Sequence, residues 1–397
     1  MQSRQLTTVC LCVLQITLDQ HRDEFVNYKF SADIFKFLIS QFLGPLSSSF
    51  KDMLATEKEI AAHYDRGNDF FAAFLGPAMV YTSGVYYNKP SWTEDKDPTK
   101  PAKQTGGDSL ETAQCNKMSL ICDRLQLKPG DEYMDIGCGW GTLMRHAARE
   151  YKVKSTGVTL SKEGAIWCNQ NIEKEGIGKD AKILRMDYRD IPKDRRFKAI
   201  SAIEMAEHVG IANFQLFLGN IYNNLEDDGM FLMQVAGLRK GSNWQDTHWG
   251  IFMSKYIFPG ADASTPLNWY VKQCEKAGFE VQRVENIGRH YSHTLHGWYD
   301  HWMDKKTEVL KKPEYDGHEK HENAKGATPG ALGRLWDFFL AWSVIASGQC
   351  SATCYQLTMH KNIYDFPRDI FCHEATVGVH NGKRGDVVVP NKNKKGR

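Results

Sequence analysis

Residues 134–143 read Met134-Asp135-Ile136-Gly137-Cys138-Gly139-Trp140-Gly141-Thr142-Leu143. The stretch predicts a strand end, a glycine turn and a helix start. Glycines at alternate positions let the backbone turn sharply and approach a ligand where any Cβ would collide. A helix expected over roughly Thr142–Tyr151 would aim its free N–H groups at that ligand. The same spacing also suits a plain tight turn, so the flanking sequence has to decide between the two.

Strand–helix alternation surrounds the stretch. Strands are expected at Glu132–Ile136, Ser155–Thr159, Lys182–Arg185, Ala199–Ile203 and Met230–Val235, and helices at Leu110–Leu127, Lys162–Lys174 and Phe214–Leu225. Ser161 stands in an N-cap position. This order predicts an α/β fold, a doubly wound, mostly parallel sheet with helices on both faces. Each strand runs into polar or glycine residues, and open α/β sheets bind ligands at that edge. Upstream, Gly67-Asn68-Asp69 breaks a helical pattern and leaves aromatics on either side. Downstream, Gly237–Pro266 is a long excursion carrying Trp244, Trp249, Phe252, Tyr256 and Phe258. Trp298, Tyr299 and Trp302 follow, then an apolar helix and strand over Leu335–Met359. The expected organisation is an N-terminal segment 1–53, a main domain 54–362 and a polar basic tail 363–397. Within the main domain, 90–109 reads as a solvated surface loop and 237–266 as a lipid-pocket insertion.

With 50 Lys+Arg against 48 Asp+Glu, nothing global points to nucleic acid. Aromatics at 12% suit a deep apolar pocket or an ordinary core. The ten cysteines include no C-x-x-C pair, which favours a reduced, cytosol-facing chain over a disulfide framework or a metal site. The apolar run Thr7–Leu18 is shorter than the roughly twenty residues that span a bilayer. It is followed at once by Asp19, with no small-residue cleavage site. Between Asp33 and Pro45, Ile34, Phe35, Phe37, Leu38, Ile39, Phe42 and Leu43 form a broad apolar face. Such a helix lies on lipid or packs on its own domain. The ending Lys394-Lys395-Gly396-Arg397 suits a disordered tail or a dilysine signal for retrieval to the endoplasmic reticulum.

A dinucleotide loop wants G-x-G-x-x-G and an acidic residue about twenty positions on for the ribose. Here the spacing is G-x-G-x-G, Asp135 precedes the glycines, and the second strand ends Val158-Thr159-Leu160-Ser161 without a carboxylate. That pattern favours S-adenosylmethionine over NAD. The former has no pyrophosphate, and its amino-acid end can be held by close backbone and a strand-end carboxylate.

Asp135–Gly141, Gly157-Val158-Thr159-Leu160-Ser161, Asp187-Tyr188-Arg189-Asp190, Glu204-Met205-Ala206-Glu207-His208-Val209-Gly210 and Lys255-Tyr256-Ile257-Phe258-Pro259 occur in this order. Together they resemble the cyclopropane-fatty-acid synthase family of S-adenosylmethionine-dependent enzymes. Phe74-Leu75-Gly76-Pro77, Tyr81-Thr82-Ser83-Gly84, Gln234–Lys240 and Pro259–Pro266 are similar to the sphingolipid 9-methyltransferases within it. The resemblance runs over roughly Thr56 to Lys361. It implies a class I methyltransferase fold and methylation of carbon 9 of the unsaturated sphingoid base of ceramide or glucosylceramide. The implied partner is a sphingolipid at a membrane, on the cytosolic face of the endoplasmic reticulum. That close family normally carries two membrane-spanning helices ahead of this domain. Without them here, either the start is truncated or attachment relies on Asp33–Pro45 and the aromatic excursion.

Carried over by position, the resemblance implies cofactor contacts from Tyr81 and Thr82. It adds Asp135, Gly137, Cys138, Gly139, Trp140 and Gly141 from the loop, then Thr159, Leu160, Ser161 and Gly164, and finally Tyr188 and Arg189. Gly164 departs from the family, which often has Gln there. Tyr188 would stack on adenine; as a surface tyrosine it would not. Glu207 is the expected carboxylate on the base side of the site, or else a helix-start carboxylate. Tyr299 corresponds to the family's pocket tyrosine and would stabilise a carbocation with its ring, or is core with Trp298 and Trp302. Cyclopropane synthases have a Cys and a His that help hold a bicarbonate base; here those positions are Ser83 and Gln234. The change is expected to let the carbon-9 proton leave, giving a methylated alkene instead of a ring. Alternative readings are a cyclopropane or other fatty-acyl methyltransferase, and a lipid-binding module that has lost catalysis.

Overall fold

A computed structural model of the chain describes residues 67–93, 103–239, 249–250, 252–258, 261, 265–312, 315 and 330–363. The N-terminal segment with its two apolar stretches, Trp244, and the tail lie outside the described residues. The first elements are α1 (Asn68–Leu75), β1 (Ser91–Thr93), β2 (Lys103–Gly106) and α2 (Leu110–Arg124). Alternation follows: β3 (Glu132–Ile136), α3 (Thr142–Tyr151), β4 (Lys154–Thr159), α4 (Lys162–Glu175), β5 (Ala181–Arg185), β6 (Phe197–Ile203), α5 (Phe214–Asn224) and β7 (Leu225–Leu238). The remainder is α6 (Leu267–Lys276), β8 (Phe279–Asn286), α7 (Gly288–Val309), α8 (Ala331–Gly348) and β9 (Ala352–Lys361).

Strands β3 to β9 form one sheet in the order β5-β4-β3-β6-β7-β9-β8. The first five pair in parallel, and β9 runs antiparallel between β7 and β8. Burial on both faces explains the near-continuous apolar runs of β3 and β6, which helices cover from either side. The winding reverses between β3 and β6, the switch point where such sheets hold ligands. The expected doubly wound, mostly parallel sheet is thus observed.

Two expectations differ. Asp227-Asp228-Gly229 does not separate helix from strand but sits inside β7, which starts at Leu225. The β6 partners pass from Phe197 to Ala199 while those on β7 pass from Leu225 to Met230, so the acidic residues are accommodated as a bulge. β7 also continues past Val235, because Ala236, Gly237 and Leu238 pair with Cys354, Thr353 and Ala352 of β9. Second, the described parts of Pro90–Ser109 are not all loop: Ser91–Thr93 and Lys103–Gly106, mostly exposed, pair as the β1–β2 ribbon. Trp92 holds that ribbon by its ring against His296, 3.8 Å away.

Helices α1, α7 and α8 build an aromatic cap beside the sheet. Phe70 meets Trp302 at 5.5 Å and Trp336 at 4.9 Å, edge to face, and all three are buried. Phe71 lies 5.1 Å from Trp140, whose indole N–H donates to Asn68 Oδ1 at 2.8 Å. The cap is thereby joined to the glycine loop. Among the described residues, no helix is long and apolar enough to cross a membrane. Phe70→Ala should lower unfolding free energy by about 3–5 kcal/mol, through lost transfer energy and the cavity left behind, as read from denaturant melts.

Candidate active site

Gly137 and Gly141 both have positive φ, 72° and 71°. Neither has space for a side chain. A Cβ on Gly137 would lie 2.4 Å from Met205 Cγ, and one on Gly141 would lie 2.2 Å from Cys168 Sγ. The N–H groups of Gly137 and Cys138 both donate to Val158 O, at 2.8 and 3.0 Å, which ties the turn to β4. Thr142 Oγ1 donates to Ala78 O at 2.7 Å. The turn is therefore braced on three sides, and a Cβ on Gly139 between these points would meet nothing.

A cavity lies over this turn at the switch point. From the loop, Asp135, Gly137, Cys138, Gly139 and Trp140 line it. Tyr81 and Thr82 come from the segment after α1; Thr159, Leu160 and Ser161 from the end of β4; Tyr188 and Arg189 from the turn after β5. Two expected members do not line it. Gly141 packs on Cys168, and Gly164 completes the cap of α4, its N–H donating to Ser161 Oγ at 3.0 Å. The Gly164 position also explains the departure from Gln, since any Cβ there would lie 2.6 Å from Gly139 O.

Charge in this cavity is arranged by burial. Asp135 Oδ1 accepts from Ser201 Oγ at 2.7 Å, and Ser201 Oγ lies 2.6 Å from Tyr133 OH. Burial raises the Asp135 pKa to about 7, against the pull of Ser201 and Lys117. Lys117 of α2 also lines the cavity and donates from Nζ to Thr82 Oγ1 at 2.7 Å. Burial lowers its pKa to about 8, opposed by Glu204 and Asp135. Tyr188 sits edge-on to Phe217 at 5.4 Å and is half-buried in the cavity wall rather than lying free on the surface. The Arg189 guanidinium is held bidentately by Asp187, each bond 2.8 Å.

A second cavity shares Tyr81, Glu204 and His208 with the first. Its other walls include Trp249, Met253, Phe258, Leu295, Trp298 and Phe339, so it is mainly aromatic and aliphatic. Glu207 lines it from the Ala206–His208 turn just beyond β6, its carboxylate accepting the Ala236 N–H.

Tyr299 is not a cavity residue: it is buried in the aromatic core and lines neither cavity. Tyr291, Leu295 and Trp298 of α7 recur at i, i+4 and i+7 and turn one face to the second cavity, and Tyr299 is rotated about 100° from Trp298. Tyr291 therefore holds the position expected of Tyr299. Ser83 and Gln234 are also fully buried and line neither cavity.

Both nevertheless reach the site through Glu204. Ser83 N–H donates to Glu204 Oε1 at 3.2 Å and Gln234 Nε2 donates to the same oxygen at 2.6 Å. Tyr291 OH donates to Oε2 at 2.7 Å. Glu204 stands directly after β6 with φ of 51°, a conformation that few non-glycine residues adopt. Glu204, Lys117 and Tyr291 are the residues that sequence reading missed. The signal for Glu204 was present in Glu204-Met205-Ala206-Glu207, where two carboxylates were available and only the second was chosen. For the loop itself, Gly164→Gln should overpack against Gly139 O. The expected loss is about 1–3 kcal/mol of stability, read by denaturant melts, with weakened ligand binding in the first cavity.

A profile of the family described as mycolic acid cyclopropane synthetase matches residues 51–321. Sphingolipid C9-methyltransferase 2 of Gibberella zeae is 41% identical over 346 residues, covering 87% of this chain and 60% of that protein. Sphingolipid C9-methyltransferase of Komagataella phaffii is 39% identical over 357 residues, covering 88% and 66%. The chain thus spans about three fifths to two thirds of the length of these curated relatives. Among solved structures, a cyclopropane synthase from Mycobacterium tuberculosis superposes with a TM-score of 0.64 at 24% identity, covering 77% of this chain and 98% of that one. A mycolic acid cyclopropane synthase solved with SAH and CTAB also gives 0.64 at 24%, covering 79% and 100%. The shared architecture is the class I methyltransferase fold, and the chain belongs to the mycolic acid cyclopropane synthetase family.

Proposed function

We propose that this chain is an S-adenosylmethionine-dependent C-methyltransferase that adds a methyl group to carbon 9 of the unsaturated sphingoid base of ceramide or glucosylceramide. The observation that carries the reading is the pair of cavities meeting at Tyr81, Glu204 and His208. One has a glycine floor and a buried carboxylate, which suits a nucleoside joined to an amino acid. The other is apolar and suits an acyl or sphingoid chain. Relatives named for C9 methylation of sphingolipids, at 39–41% identity, support the choice of acceptor.

The residues of the first cavity fit the cofactor. Gly139 leaves room for a ligand where a Cβ would meet no protein atom. Asp135 is aimed by Ser201 and suits a cationic amino group, and Tyr188 offers an aromatic wall to a base. When bound, the cofactor supplies an electrophilic methyl on a sulfonium sulfur, which keeps the bonding pair. The acceptor alkene is the nucleophile, so no thiol or serine nucleophile is needed. Tyr81 and Trp298, with ring centroids 5.4 Å apart, border the second cavity and present π faces or edges to a cation. Glu207 adds negative charge to the same wall, and the apolar lining keeps water from the cation. Gln234 acts on the outcome through the Glu204 carboxylate that its amide holds, with the Ser83 main-chain N–H on the same oxygen. We assign the reaction to a membrane surface at the cytosolic face of the endoplasmic reticulum, a reading supported by the sphingolipid for which the relatives are named and by the apolar residues between Asp33 and Pro45 in the sequence.

Two measurements test this reading. With an unsaturated ceramide and a trideuteromethyl donor, mass spectrometry should find a branched alkene retaining three deuteriums. A cyclopropane retaining two would overturn it. Tyr188→Ala should raise the cofactor dissociation constant by up to about tenfold in calorimetric titration, the size of one aromatic contact of about 0.5–1.5 kcal/mol.

A further inference from the structure

Among the carboxylates near the acceptor cavity, Glu204 is distinguished by position and by its bonds. It lines both cavities, whereas Glu207 lines only the second. A group that takes a proton from the carbon just methylated has to stand where methyl donor and acceptor meet. Tyr81 and His208 share that boundary; Glu204 is the carboxylate among the three, and Ser83, Gln234 and Tyr291 converge on it to fix its side chain. We infer that Glu204 is the general base that removes the carbon-9 proton, in the reaction proposed above, on which this assignment rests.

The bonding leaves one oxygen for the task. Oε1 accepts from Ser83 N–H at 3.2 Å and from Gln234 Nε2 at 2.6 Å, and the Cys354 thiol lies 3.6 Å from it. Among the described residues, Oε2 accepts from Tyr291 OH, at 2.7 Å, and keeps a lone-pair site. Gln234 is itself fixed, because Gln356 Nε2 donates to its Oε1 at 2.9 Å and so turns its NH2 toward Glu204. The backbone helps: Glu204 N–H donates to Gln234 O at 2.8 Å and holds φ at 51° despite the strain. The donors pull the carboxyl toward its charged form, yet burial outweighs them and raises the Glu204 pKa. A raised carboxyl is a better base than an exposed one.

The step balances simply. Carbon 9 takes the methyl through the π pair of the alkene, the methyl–sulfur pair stays on sulfur, and the neighbouring carbon becomes cationic. The carbon-9 C–H bond then breaks, its electron pair closes the double bond again, and the proton goes to Glu204 Oε2. It passes to water when product leaves. A base within the chain also accounts for Gln234, whose amide, at a position where the family resemblance implies a bicarbonate ligand, is committed to a carboxylate of the protein itself. Ser83 adds its main-chain N–H, while its hydroxyl donates to Gly84 O.

The test uses the full chain with unsaturated ceramide and a trideuteromethyl donor. Glu204→Gln keeps the shape and loses the base. It should lower kcat by about 10²–10⁴-fold while the cofactor dissociation constant stays within about threefold. The residual product should shift toward the cyclopropane that keeps two methyl deuteriums. Glu204→Gly suits the positive φ and leaves the donors of Ser83, Gln234 and Tyr291 facing a gap. Its turnover should be restored by added formate or bicarbonate but not by chloride, a response that a purely structural residue would not give. Wild-type turnover should be unchanged when bicarbonate is stripped from the buffer. A Glu204→Gln rate close to wild type, or wild-type turnover that depends on bicarbonate, overturns the assignment alone. A wild type that binds cofactor and methylates no ceramide overturns the function reading and this assignment with it.

Discussion

The side chain of Met205 stands where a Cβ on Gly137 would be, so the turn leaving β3 and the turn leaving β6 are built against one another. Val158 O at the end of β4 anchors the first of these turns through two N–H bonds. Three neighbouring strand ends are thus fixed relative to each other, β3 to β4 by main-chain hydrogen bonds and β3 to β6 by the Met205 side chain packed on bare backbone. Both cavities inherit their geometry from this arrangement. The cofactor cavity lies over the first turn. The residue next to Met205 is Glu204, at the boundary with the second cavity.

Around that point the protein keeps three ionisable groups away from bulk water: Lys117, Asp135 and Glu204. Each is moved by burial toward its neutral form; Lys117 is partly held charged by the two carboxylates, and each carboxylate by Lys117. Desolvating a lone charge would be costly, and the three offset that cost collectively. The same low polarity would sharpen the field felt by a cationic ligand bound there. A cap of buried aromatics on α1, α7 and α8 keeps this region dry and supplies the apolar wall of the second cavity.

Much of the framework was legible from residues alone. The glycine spacing, the strand–helix rhythm and the acid before the glycines lie close together in sequence and obey local rules. β3 and α3 accordingly begin and end where the sequence places them. The bulge in β7 was not legible, because Asp227-Asp228-Gly229 has ordinary turn chemistry and it is the pairing of Leu225 and Met230 with β6 on either side that keeps it within the strand. At the site, position in a motif was a good guide for the cofactor cavity, where backbone does most of the holding. It was a poorer guide for the acceptor side. Tyr299 and Tyr291 differ there only in which face of α7 they occupy. Ser83 and Gln234 matter through a third residue, and the unusual φ that brings Glu204 to that place leaves no mark in the sequence.

The strand order has a consequence for how the chain acquires its structure. β9 is the last strand of the sheet in sequence, yet it lies between β7 and β8 and is buried at all ten positions. Until Lys361 has been made, β7 and β8 have no partner along these edges, and the Ala236–Leu238 end that borders the second cavity has nothing to pair with. Long-range pairing of this kind forms slowly, and unpaired apolar edges invite association. A nascent chain carrying a finished cofactor turn would therefore still lack a finished acceptor cavity. The two halves of the site mature at different times during synthesis, and the second waits for the end of the domain.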